Sequence, residues 1–181
     1  MIKKLDDAGL FSCRFTADLF EYSTRKHECS SKVFIKAFVY SSVSKSISSK
    51  SYLFESKDVN LAYDLIKKEK KLNKGKDIYP SYVMSWIGYI MQYFTLTTDI
   101  PLTTLYKNMK PEEFYMLYES YHSMDNDLVV KRICESKNIN LNFNDLDLFR
   151  SINRKLQWFP AAFPRGQHKY KQKKKWALGN Q

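Results

Sequence analysis

Three histidines (His27, His122, His168) and three cysteines (Cys13, Cys29, Cys134) are the residues best suited to metal binding or nucleophilic chemistry. Their spacing argues against both. The chain contains no CxxC, HxxxH, HExxH or HxE arrangement, so a metal centre lacks its usual paired ligands. The odd number and wide separation of the cysteines predict three small apolar residues in a reducing compartment rather than a disulfide framework. The run Tyr121-His122-Ser123-Met124-Asp125 brings His, Ser and Asp together. Neighbouring residues point in different directions, however, and a catalytic triad is defined by geometry. The preferred reading is a turn in which Ser123 or Asp125 caps the next helix. Only 5 glycines are present, with neither a P-loop nor a GxGxxG pattern, so a phosphate cradle is not expected. This inventory predicts a non-enzymatic protein with no catalytic residues, no metal and no cofactor.

The second chemistry available is recognition. Trp86, Tyr89 and Tyr93, with Tyr106 and Lys107, have the composition of an aromatic binding surface, because Tyr and Trp combine large contact area with a polar end. The same residues also suit a core whose hydroxyls reach the surface. Trp86 to Asn108 has the outline of a helix–turn–helix. Its second helix would supply one cation, Lys107, before Lys110, too few polar groups for ordinary base readout.

A third possibility lies at the end of the chain. Arg165, Lys169, Lys171, Lys173, Lys174, Lys175 and Trp176, with Tyr170 among them, interleave cations with aromatics. That pattern pairs phosphate attraction with base stacking, so nucleic-acid binding through the tail is one reading. A solubilising end or an arm for an acidic partner is the other. No acidic residue follows Asp147, while nine cations run from Arg150 onward; taken from the net +11, they leave +2 for residues 1–149. Any polyanion binding is thereby localised to the end of the chain.

These groups must be carried by regular elements. With 181 residues, 44% hydrophobic and 15% aromatic, the chain is able to bury a core without staples, and 5 Gly with 5 Pro favour long segments over turn-rich sheets. Phe15, Leu19 and Tyr22 share one helical face within Cys13 to His27. Ser30-Ser31 cap a second helix bearing Val33, Phe34, Ala37 and Phe38. Seven serines between Ser41 and Ser51 favour a loop, although Val43 and Ile47 continue the apolar stripe. Asp58 caps a helix with Val59, Ala62, Leu65 and Ile66 inward. It ends in Lys67, Lys68, Lys70 and Lys71, either an anion patch or a solvated helix end. Pro80 opens an element apolar on most faces, expected at the centre of a bundle, and Gly88 within it suggests either close approach of a neighbouring helix or a tolerated weak spot. Pro101 opens a short helix, Leu102 to Asn108. Pro111 opens another, with Phe114, Leu117, Tyr118 and Tyr121 inward. Asp125 caps one bearing Leu128, Val129, Arg132 and Ile133, and a last helix is expected from Asn144 to Leu156. The predicted fold is mainly α, a compact multi-helix bundle over residues 1–157, followed at 158–181 by a basic, aromatic-containing, partly disordered tail. The charged start and the interrupted apolar run Tyr82 to Leu96 predict a cytoplasmic protein with no membrane contact.

The run Tyr82 to Tyr93, followed by Leu102 to Lys107, Lys110 to Glu113 and Tyr118 to Asp125, resembles a family of small antitoxin-like proteins of low-GC Gram-positive bacteria. Ser30 to Phe38 and Phe54-Glu55-Ser56 add to the likeness, which covers about residues 12–140. Its best block is Trp86-Ile87-Gly88-Tyr89 with Tyr121-His122. The chain departs from the pattern at Gln92, where the family commonly carries arginine. The tail lies outside the likeness. Members are encoded beside toxins, some of them ADP-ribosyltransferase-like. The resemblance implies neutralisation of a cognate toxin by direct binding, without catalysis. Trp86, Tyr89, Tyr93, Tyr106, Lys107, Tyr118 and His122 are the candidate contact or supporting residues.

Overall fold

A computed structural model describes residues 2–49, 58–72 and 75–139. Among these residues the chain is mainly helical, with eight helices and no strand. The first, α1 (Asp7–Lys26), begins ahead of Cys13 because Asp6 acts as its N-cap, accepting a hydrogen bond from the Gly9 N–H at 2.8 Å. It ends where His27 turns left-handed, at φ 52°. Next come α2 (Ser31–Val39), capped by Ser30, and α3 (Ser42–Ser48), capped by Ser41.

The third helix corrects the expectation of a serine loop. The Ser41 hydroxyl accepts from the Ser44 N–H at 3.1 Å and donates to the Phe38 carbonyl at 2.7 Å. Ser44 donates back to the Val39 and Ser41 carbonyls. The hydroxyls that compete with helical bonding elsewhere here complete a cap, and burial of Val43 and Ile47 holds the turn in place.

Asp58 caps α4 (Val59–Lys70) as expected, accepting from the Asn60 N–H at 2.8 Å. Its inward set is Ala62, Tyr63 and Ile66, whereas Leu65 is exposed. Pro80 precedes α5 (Ser81–Thr98), Pro101 precedes α6 (Leu102–Asn108), and Pro111 is the first residue of α7 (Pro111–Tyr121). Proline suits these starts because its missing N–H is one the first helical turn leaves unbonded anyway. Asp125 caps α8 (Asn126–Ser136), which buries Val129, Val130, Ile133 and Cys134 and leaves Leu128 exposed. The helix expected from Asn144 to Leu156, and the tail with Arg165, Lys169, Lys171, Lys173, Lys174, Lys175 and Trp176, lie outside the described residues.

Helix α5 occupies the centre. Val83, Met84, Ile87, Ile90, Met91 and Phe94 are all buried, as its apolar circumference requires. Its main partner is α1, and Gly88 is the reason they approach so closely. A Cβ at that position would stand 2.7 Å from the Thr16 carbonyl oxygen and 2.8 Å from Phe20 Cγ. The two helices run antiparallel: the Lys3 N–H, ahead of α1, donates to the Thr97 carbonyl at the far end of α5 (2.9 Å). Phe20 is fixed in turn by edge-to-face contacts with Phe34 (5.3 Å) and Phe38 (4.9 Å), so α2 closes the same core.

Candidate functional site

The outer stripe of α5 presents Tyr82, Trp86, Tyr89 and Tyr93 at spacings of three and four residues, which is one face of a helix. Helix α7 offers Tyr115, Tyr118 and then His122 at the same spacing. Phe114 anchors α7 in the core, and Lys137 from the end of α8 pairs with Glu113 in its first turn. The Glu113 carboxylate also accepts from the Lys110 N–H at 2.9 Å. Both contacts, the lysine first, hold this carboxyl below its usual range. The segment leading into α5 is tied to the start of α2: the Ser31 N–H donates to the Asp77 carbonyl, and the Tyr79 N–H to the Ser31 hydroxyl, at 2.9 and 2.8 Å.

These anchors align two helices whose aromatics interlock. Tyr79 meets Tyr115 at 4.5 Å, Tyr82 meets Tyr118 at 5.4 Å, and Trp86 meets Tyr118 edge-on at 5.6 Å. His122 stacks on Tyr118 at 4.7 Å, with its Nδ1 2.9 Å from the Tyr118 carbonyl. The result is a ladder of rings along the α5–α7 seam. An open groove of about 450 Å³ lies beside it, with Ala17 and Glu21 of α1 as one wall. Ser81, Tyr82, Ser85, Trp86 and Tyr89 of α5 and the pair Tyr118 and His122 complete its lining. A second hollow of about 350 Å³ lies around Tyr79, Tyr115 and Met116, edged by the Lys32–Glu112 ion pair. Tyr82 is 57% exposed and Met116 67%, large apolar areas to leave in water.

The ladder gathers four of the candidate contact residues, Trp86, Tyr89, Tyr118 and His122. Tyr93 extends it: its ring stacks on Tyr89 at 6.1 Å while its hydroxyl donates to Asp127 at 2.7 Å, linking α5 to α8. Burial, then that carboxylate, raise the Tyr93 phenol. Tyr106 and Lys107 are not brought to the ladder. Tyr106 packs against Tyr40, just past the end of α2, at 5.9 Å, with the Lys110 ammonium 4.7 Å from its ring centre, and Lys107 is exposed on α6. Tyr79, Tyr82, Tyr115 and Met116 join the surface although sequence reasoning did not place them there. The four-residue step from Tyr82 to Trp86 carried that signal for Tyr82; nothing local marked Tyr79 or Tyr115.

The His-Ser-Asp adjacency does not converge. His122 contacts the Tyr118 carbonyl, while Asp125 accepts from the Asp127 N–H at 2.9 Å as a helix cap. Cys13, Cys29 and Cys134 are free and buried. Burial pushes the Cys13 thiol up to about 12 and those of Cys29 and Cys134 up to about 11. Among the described residues no group of three or more His, Cys, Asp or Glu side chains is placed to hold a metal ion, and no helix is long and apolar enough to cross a membrane. Comparison with family models, with curated proteins and with solved structures brings no match.

Proposed function

We propose that this chain is a non-catalytic protein-binding module that acts as an antitoxin, neutralising a cognate toxin by direct complex formation. The observation that carries the reading is the ring ladder along α5 and α7. Its members pack against one another yet keep their outer faces open to solvent, with Tyr82, Tyr115 and Met116 all exposed. Aromatics already held by their neighbours lose little freedom when a partner covers them, so the area they bury converts efficiently to affinity. Rigid Tyr and Trp side chains flanking a groove are the usual anchors of such interfaces. The family resemblance supports the same reading, since neutralisation by sequestration needs contact area and no reacting group.

The test is co-expression with the product of the neighbouring gene. Wild type is expected to co-purify with that product and to restore growth. Tyr82→Ala combined with Met116→Ala, two exposed positions whose change leaves the fold intact, is expected to weaken both. Undiminished capture and rescue by the double variant refutes the ladder as the binding surface.

A further inference from the structure

The charge of +2 on residues 1–149 is an average over an uneven surface. Two stretches, Ser30 to Ser49 and Ile100 to Pro111, hold five lysines and no acidic residue. The fold packs them together: Tyr40, just past the end of α2, meets Tyr106 of α6 edge-on at 5.9 Å. Lys36 stands one turn before Tyr40, whose N–H donates to the Lys36 carbonyl at 3.3 Å. Lys107 follows Tyr106 on α6. Lys110 reaches back, its ammonium 4.7 Å from the Tyr106 ring centre and 3.0 Å from the Tyr106 carbonyl.

The carboxylates that approach these stretches are engaged by other groups. Glu112 pairs with Lys32, Glu113 with Lys137, and Glu69 accepts from the Ser42 N–H at 3.0 Å. Among the described residues, Lys36, Lys107 and Lys110 form no ion pair, and the Tyr40 and Tyr106 hydroxyls have no hydrogen-bond partner. Lys36, Lys107 and Lys110 are exposed, and the Tyr40 side chain is 39% exposed.

We propose that this face binds single-stranded nucleic acid, with phosphates held by Lys36, Lys107 and Lys110 and one base laid on the exposed ring of Tyr40. Lysine acts as a point charge toward phosphate, whereas a carboxylate-bearing partner favours the arginine fork, and neither stretch contains arginine. The Tyr106 carbonyl fixes the Lys110 ammonium before a ligand arrives, so little side-chain freedom is lost on binding. Phenol hydroxyls also donate to phosphate oxygens. An exposed ring among cations is the platform on which an unpaired base stacks, and a closed duplex presents no such base face. The site uses no residue of the ring ladder or of the basic tail and does not rest on the protein-binding reading.

The experiment uses the full chain with Lys169, Lys171, Lys173, Lys174 and Lys175 changed to Gln, which removes the tail as a competing polycation. Binding of a fluorescein-labelled oligo-deoxythymidine is followed by anisotropy over a range of salt concentrations, and saturable, salt-dependent binding is expected. Each phosphate contact contributes about 0.7 to the slope of log affinity against log salt, or about fivefold in affinity at about 0.1 M. Lys36→Gln with Lys107→Gln is therefore expected to lower the slope by about 1.4 and the affinity about 25-fold. Tyr40→Leu is expected to weaken binding about fivefold with the slope unchanged. Lys4→Gln with Lys131→Gln removes the same charge elsewhere and is expected to leave the slope as it was. All five positions are exposed, and unchanged thermal melts confirm that the variants are folded. No saturable binding, or a slope lowered as much by the control pair, overturns the inference. Affinity unaffected by Tyr40→Leu removes the base contact and with it the assignment to single strands. Equal or tighter binding of the matching duplex, of polyglutamate or of anionic phospholipid vesicles would make the occupant a duplex, an acidic protein or a lipid surface, and the proposal fails.

Discussion

Replacing Gly88 by alanine tests the packing between α1 and α5, two of the helices that contribute residues to the groove. The new methyl would lie 2.7 Å from the Thr16 carbonyl oxygen and 2.8 Å from Phe20 Cγ, where ordinary contact begins at 3.4 Å. Neither neighbour yields easily. The first is backbone in the middle of α1, and the second is a fully buried ring wedged between Phe34 and Phe38. Relief requires α1 and α5 to separate by roughly 0.7 Å along a tightly packed seam, with loss of dispersion contacts on both sides. Overpacking of this kind costs about 1–3 kcal/mol, toward the upper end where the obstacle is backbone. Alanine recovers about 1 kcal/mol of helix propensity. The net expectation is destabilisation by about 1–2 kcal/mol, read as a Tm lower by roughly 4–8 °C in a domain of this size. Gly9→Ala is the control. The atoms nearest its methyl belong to the side chains of Asp6 and Leu5, at 3.1 and 3.3 Å, and the change is expected to be neutral or stabilising by up to about 1 kcal/mol. Thermal and urea unfolding followed by circular dichroism measure both. If Gly88→Ala is as stable as wild type, the α1–α5 contact is not the constraint argued here.

Gln92 is fully buried, and among the described residues neither its amide oxygen nor its amide nitrogen has a partner. Gln92→Met, similar in shape and free of the amide, is therefore expected to stabilise by about 1–3 kcal/mol in urea titrations; a loss would show that the amide is satisfied in solution. Ser41→Ala removes a cap and a bond to Phe38, so it is expected to cost about 1–2 kcal/mol and reduce helicity around α3. Lys137 depresses the Glu113 carboxyl, and Lys67 that of Glu28. Groups whose folded pKa lies below the unfolded value stabilise above about pH 4.3 and lose that contribution as pH falls through the folded value. Tm should accordingly decline on acidification below about pH 5, and Glu113→Gln should flatten the decline. Asp18, shifted the other way, should give no part of it. The three thiols, raised to about 12, 11 and 11, are expected to resist an aromatic disulfide reagent at about pH 8 until denaturant is added; rapid labelling of the native protein would contradict their burial.

Punctuation was the most legible feature of the sequence. Asp58, Pro80, Pro101, Pro111 and Asp125 mark helix starts where the structure has them, because caps and first-turn prolines act locally. The centrality of α5 is also readable from its apolar pattern, whereas Gly88 leaves close approach and a tolerated weak spot equally open until α1 is seen against it. The serine segment misled, since whether a hydroxyl breaks a helix or caps one depends on where Val43 and Ile47 find burial. Leu65 and Leu128 follow helical spacing yet face outward, because periodicity fixes a stripe without saying which edge of it a neighbour covers. At the candidate site, the α5 stripe was readable but its register against α7 was not. Tyr115 and Tyr79 acquire their place only when two helices dock, and Tyr106 loses its expected place because Tyr40, distant in sequence, takes its ring.

The buried thiols have a practical corollary. A cysteine put in place of Met116, whose side chain stands well out into solvent beside the ladder, would be the one sulfhydryl open to a maleimide dye among the described positions. The native molecule would then carry a fluorophore beside its candidate interface, ready to report, by emission or energy transfer, each arrival and departure of whatever settles there.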